Sequence, residues 1–126
     1  METNKEILDQ FGIKIIDNCL DGLLNHFESI RKKENVPLVF KTKKEFLNHL
    51  DKDEYELFRK MLIDSVGMVL FEFFNLFEED ERFKLIFKED GKEVDLVKIS
   101  ENLKAEPIIE NGWIDRFSKY SNERDK

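Results

Sequence analysis

A single cysteine, Cys19, rules out any intrachain disulfide in this 126-residue chain. A fold held without disulfides suits a reducing compartment, so the expected location is the cytoplasm. There are only two prolines and five glycines, too few for a collagen-like or low-complexity chain. The two histidines, His26 and His49, occur in neither an HExxH nor an ExxH pattern, so the usual zinc and di-metal carboxylate sites are not expected. No Walker loop, GxSxG, GxGxxG or CxxC motif is present. The longest uninterrupted apolar run, Val66 to Phe71, is far short of the roughly 20 residues a spanning helix needs. The first ten residues, METNKEILDQ, lack the basic start and long apolar stretch of a secretory signal.

What is present is charge and phenylalanine. Charged residues make up 39% and hydrophobic residues 40%, with 12 phenylalanines, enough for a core and a densely charged surface in one domain spanning residues 1–126. The net charge of −7 lies mostly in the second half: residues 1–63 carry 12 acids and 11 bases, residues 64–126 carry 16 and 10. That balance disfavours nucleic acid and anionic membranes as partners and favours a basic protein. Simple solubility is the plainer explanation. The abundance of Lys, Glu, Asn, Ile and Phe fits an AT-rich bacterial genome.

The richest apolar stretch is Met61 to Phe77, MLIDSVGMVLFEFFNLF. At 100° per residue, Leu62, Val66, Val69, Phe73 and Phe77 share one side, widened by Ile63, Leu70 and Phe74. Phe73 falls at the centre of that side, where truncation to alanine is expected to cost about 3–5 kcal/mol. Leu57, Met61, Met68 and Phe71 sit instead among Lys60, Asp64 and Asn75. A helix apolar nearly all round is either central in its fold or covered by a partner.

Residues 5–33 read as one long amphipathic helix, weakened at Gly12 and Gly22 and closed by Arg31, Lys32 and Lys33. Pro37 marks a break, and Leu38, Val39 and Phe40 read as extended. Thr42 to Glu45 has the form of a capping box opening a short helix, and Asp53 with Glu56 opens the long one. After the acidic run Glu78, Glu79, Asp80 and Glu81 the period changes to two. Phe83, Leu85 and Phe87, a turn at Glu89 to Lys92, then Val94, Leu96 and Val97 predict a β-hairpin whose Phe83/Leu85/Phe87 face lies on the helices. Trp113, Ile114, Phe117 and Tyr120 follow Asn111-Gly112 at helical spacing. The expected fold is α+β and mostly helical: two long helices, short helices, and a C-terminal β-hairpin packed on them.

Asp17, Asp21, Gly22 and Glu28 match positions of a calcium loop, but Cys19 is a poor ligand for a hard cation and the helical period runs straight through. His49 near Asp51 and Asp53 reads as a histidine at a helix C-terminus followed by a capping aspartate. Cys19, on an apolar helix face, reads as a buried thiol. Asp64 and Glu72 are about 12 Å apart along one helix, wide for joint acid–base work. The bases Arg31, Lys32, Lys33, Lys41, Lys43 and Lys44 surround Phe40, a pattern able to bind single strands but also ordinary at helix ends. Trp113 suits either a core or an interface anchor.

The tail, VDLVKISENLKAEPIIENGWIDRFSKY, resembles that of short bacterial proteins ending in a GWI-x-x-FSKY stretch after a long helix. In size and acidity the chain is similar to toxin-immunity proteins. The resemblance implies a non-enzymatic protein-binding module masking a basic partner; no cofactor or metal is expected, given the missing ligand motifs. Glu78, Glu79, Asp80, Glu81, Met68, Phe71 and Trp113 are the expected partner-binding residues. A small ligand-binding protein or enzyme with a phenylalanine-lined pocket, and a homo-oligomeric structural protein such as a homodimer, are the alternatives.

Overall fold

A computed structural model describes residues 2–124. The first helical rod comprises α1 (Asn4–Ile15), a wide π-helical segment (Ile16–Asp21) and α2 (Gly22–Lys32). The Thr3 hydroxyl caps α1 by accepting from the Glu6 N–H. Within the π segment the Gly22 N–H reaches back to the Asp17 carbonyl, five residues earlier. The wider turn carries Asp21 to the inner face beside the fully buried Ile16 and Leu20. Cys19 is left exposed on the outside, which corrects the buried thiol expected from its apolar neighbours.

Leu38–Phe40 form a 3-10 turn rather than an extended segment, because the Phe40 N–H closes onto the Pro37 carbonyl. Helix α3 (Lys41–His49) then starts directly on Phe40, without a side-chain cap from Thr42. The long helix α4 (Lys52–Glu79) opens two residues before the expected signal: Asp51 caps it in a reciprocal capping box with Glu54. Strands β1 (Ile86–Glu89) and β2 (Lys92–Asp95) pair antiparallel, with Ile86 opposite Asp95 and Glu89 opposite Lys92. Asp90 and Gly91 turn the hairpin, both at positive φ (50° and 80°), the geometry a two-residue hairpin turn requires. Leu85, Phe87 and Val94 pack on the helices, whereas Phe83 points to solvent. Beyond β2 the chain leaves the sheet for the short helix α5 (Leu96–Ile99), capped by Asp95. After a 3-10 turn at Leu103–Ala105, helix α6 spans only Trp113–Phe117, and a final 3-10 turn covers Ser121–Glu123. The architecture is α+β, mostly helical, with the hairpin laid on the helices. Among the described residues no helix is long and apolar enough to cross a membrane.

The main core lies where α1, the π segment, α4 and α6 meet, around Ile7, Ile16, Leu20, Ile63, Phe74 and Trp113. Trp113 is fully buried and meets Phe11 and Phe74 edge-on, with centroids 5.7 and 5.9 Å away. Of its two expected roles it takes the core. Gly12 makes this possible: a Cβ there would fall 2.6 to 2.7 Å from the indole atoms. A satellite core of Ile30, Leu47 and Tyr55, with Phe27, Phe40 and Phe58 against it, joins α2, α3 and the start of α4.

Polar contacts fasten the tail to the rod. The buried Asp21 carboxylate accepts from the Ser118 hydroxyl (2.6 Å) and the Lys119 N–H (3.0 Å). Ser118 in turn accepts from the Tyr120 N–H, and the Tyr120 hydroxyl donates to Asn25. Glu123 holds the buried Arg59 of α4 through two oxygens at 2.6 and 3.1 Å, a bidentate match of planar groups. Glu28 receives the Tyr55 hydroxyl and pairs with Arg31 and Lys32. Burial pushes the Glu28 carboxyl up, but hydrogen bonds from Tyr55 and Lys32 and the charges of Lys32 and Arg31 outweigh it and hold the group below its ordinary value.

Along α4 the buried line is Ile63, Gly67, Leu70 and Phe74, not the line centred on Phe73. Phe73 is half exposed, touching Phe74 and Phe77. Trp113→Ala is therefore expected to cost about 3–5 kcal/mol and Phe73→Ala less than about 1.5 kcal/mol. Urea unfolding of the two variants checks the order, and equal losses would restore the Phe73 phase. For Glu28, a carboxyl with a depressed folded-state pKa stabilises above its unfolded value, near 4.5, and that contribution vanishes as pH falls through the lower folded value. Unfolding free energies taken from about pH 6 to pH 3 are expected to fall less steeply in Glu28→Gln than in the unsubstituted protein.

Candidate functional site

Helix α4 buries one side and leaves much of the other bare. Leu57, Met61, Met68, Val69, Phe73 and Leu76 are between 42% and 71% exposed. They extend along about 28 Å of helix at 1.5 Å per residue. The charged residues interleaved with them towards the C-terminal end are acidic: Asp64, Glu72 and Glu79 are all exposed. The tail fixes which side is bare, since Trp113 and Ile114 join Ile63, Leu70 and Phe74 in the core while Met68 and Val69 stay exposed.

At its edge this face dips into a groove of about 580 Å³ between α4 and the segment before α6. Met68, Phe71, Ile108 and Ile114 wall it over a floor of Ile63 and Gly67, and Asp64, Glu72 and Arg124 stand at its rim. Arg124 is held in place, donating to Asp115 at 3.0 Å and to the Ile108 carbonyl. Lys104 bonds Asn75 (3.1 Å), pairs with Glu78 (3.6 Å), and sits 5.4 Å over the Phe71 ring. The result is an open apolar trough rimmed by two carboxylates and one tethered guanidinium, with the Lys104 ammonium over one wall. Such a trough suits an apolar side chain with a cation beside it.

The sequence-derived residues divide. Met68 and Phe71 lie together in the groove, and Glu79 lies on the same bare face. Glu78 is half-buried against Lys104, while Asp80 accepts from Arg82 through side chain and backbone and lies below its ordinary pKa through those bonds. Glu81 is exposed in the turn that follows. Trp113 is buried in the core and has no surface to offer. Ile108, Ile114 and Arg124 escaped sequence reasoning because only docking of the tail brings them to α4. Local periodicity carries no signal for that.

The other residues weighed for chemistry are scattered. Asp17 to Glu28 stay helical throughout, and Asp21 is committed to Ser118. His49 ends α3, its Nδ1 2.6 Å from the Glu45 carbonyl, and His26 packs edge-on against Phe27 and Phe40. Among the described residues no group of three or more His, Cys, Asp and Glu side chains is arranged to hold a metal ion.

Compared with protein-family models, curated proteins and solved structures, the chain matches none.

A bare apolar face binds apolar dyes. Anilinonaphthalene sulfonate is expected to fluoresce with the folded protein and to lose most of that signal in Met68→Glu/Val69→Glu, with an unchanged melting temperature. Equal fluorescence in both proteins would move the apolar surface elsewhere.

Proposed function

We propose that this chain is a non-enzymatic protein-binding module of toxin-immunity or inhibitor type. It masks a basic partner by receiving an amphipathic helix on the bare side of α4. The observation that carries this reading is the union of six exposed apolar side chains with Asp64, Glu72 and Glu79 on one rigid helix. An amphipathic helix laid in an apolar groove is a recurring mode of recognition, read as anchors every three or four residues. Acids at the rim select a partner bearing Lys or Arg beside those anchors, and act chiefly on association rate. A second copy of the chain fits less well. Antiparallel helices crossing at Met68 would set Asp64 against Glu72, carboxylate to carboxylate.

The groove volume supports a second reading. About 580 Å³ falls within the range of small-ligand sites. Its lining contains one phenylalanine, Phe71, rather than the phenylalanine-rich pocket that an enzyme or ligand-binding reading invokes.

A photo-crosslinker placed at Met68 in cells of the source organism is expected to capture a basic protein. With that partner purified, Asp64→Lys/Glu72→Lys/Glu79→Lys is expected to slow association about tenfold at low salt and to flatten its salt dependence. Association indifferent to both charge reversal and salt would refute the electrostatic part. Cross-links only between copies of the chain, or a co-purifying small molecule displaced by Met68→Glu, would favour the alternatives.

A further inference from the structure

We infer that the tip between α2 and α3 seats this chain on an anionic lipid surface, with Leu38 and Val39 entering the bilayer interface and Lys33, Lys41 and Lys43 at headgroup level. Leu38 is 84% exposed and Val39 73%. They are adjacent, and the turn that presents them is closed by the Phe40–Pro37 hydrogen bond of 2.8 Å. Phe40 anchors the turn from beneath, packed into the satellite core with the His26 ring edge-on at 5.3 Å. The tip is thus a preformed apolar point, so little ordering is lost on insertion.

Charge around this point is opposite to that of the molecule. Residues 28–45 hold six bases and three acids, a net of +3, which leaves −10 on the other residues of a chain at −7. Some of these groups are already committed. Glu28 pairs with Arg31 and Lys32, and Lys44 donates to the Ile30 and Arg31 carbonyls at the end of α2. Glu34 and Glu45 are the remaining acids of the segment. Lys33, Lys41 and Lys43 stay exposed on either side of the apolar pair, and basic residues at a membrane surface are each attracted to anionic headgroups. The acidic start of α4, Asp51 to Glu54, follows the far end of α3 from Lys41. Helix α3 is about 14 Å long at 1.5 Å per residue, beyond the screening length of about 8 Å at physiological salt. Overall acidity therefore does not cancel the local attraction, and it turns the rest of the molecule away from the surface.

Lipid fits better than the other polyanion or a protein. Binding to single-stranded nucleic acid requires open aromatic faces, yet the tip's one aromatic, Phe40, has Lys43 over its ring at 5.6 Å and His26 at its edge. Two aliphatic side chains on a point cannot supply the roughly 800 Å² per partner of a standard protein interface. A bilayer closes around such a point without needing a matching surface. The inference does not depend on the reading of α4.

Co-sedimentation with vesicles tests it. The protein is expected to sediment with phosphatidylglycerol-containing vesicles, not with phosphatidylcholine alone, and to be released by salt. Leu38→Ser/Val39→Ser and Lys41→Glu/Lys43→Glu are each expected to weaken binding about tenfold or more. Both variants alter exposed residues and are expected to keep the native melting temperature. Absence of phosphatidylglycerol-dependent sedimentation would overturn the inference, as would full binding by Leu38→Ser/Val39→Ser. Tight binding of oligouridylate, lost in Lys41→Glu/Lys43→Glu but kept in Leu38→Ser/Val39→Ser, would reassign the tip to nucleic acid.

Discussion

The indole of Trp113 lies against the backbone of the first helix at the one point, Gly12, where no side chain stands in its way. From there it meets Phe11 of α1 and Phe74 of α4, so one side chain joins the two long helical elements. A tail helix of five residues could not hold itself. Its helical form is a consequence of this burial, and the hairpin, α5 and the turn at Leu103 are arranged around the same centre. The residues of the GWI-x-x-FSKY stretch find their partners here. Gly112 precedes the helix, Trp113 and Ile114 fill the core, Phe117 packs at its edge, and Ser118 and Tyr120 bond to the rod through Asp21 and Asn25. The stretch is thus a docking device of the fold.

The same docking decides what is left uncovered. Once Trp113, Ile108 and Ile114 have taken one side of α4, its Met, Leu, Val and Phe residues on the other side have no cover within the described chain. Exposed apolar area of this extent is costly in a monomer. The rigidity of α4, clamped by its capping box at one end and by Arg59–Glu123 further along, makes the bare face a preorganised surface rather than a loose one.

Local rules carried the reading wherever the determinant was local. Asp90-Gly91 announced the hairpin, and the 3.6-residue period announced the rod and α4. The rules failed where two local answers were equally good. Asp51 and Asp53 both precede a glutamate by three residues, and only the first caps. In α4 nearly every side is apolar, so hydrophobic phase alone could not choose between the Phe73 side and the Ile63–Phe74 side. The deciding mark was Gly67, which scores as nothing on a hydrophobic scale yet lies buried on the packed line. The π segment was invisible for another reason: it carries Asp21, whose partner Ser118 lies 97 positions away. The groove was half legible, through Met68 and Phe71, because its other wall comes from the tail.

The contacts that complete this molecule join its first residues to its last. Asp21 waits for Ser118 across 97 positions, and Arg59 for Glu123 across 64. Such separations make for slow closure, since the loop must be ordered before its contact rewards it. During synthesis at about 5–20 residues per second, the rod and α4 leave the ribosome with both apolar sides of α4 open, and stay so until the Trp113 segment emerges. The nascent chain therefore passes through an interval in which that surface is uncovered, and the length of the interval is set by the stretch of sequence between the end of α4 and Trp113.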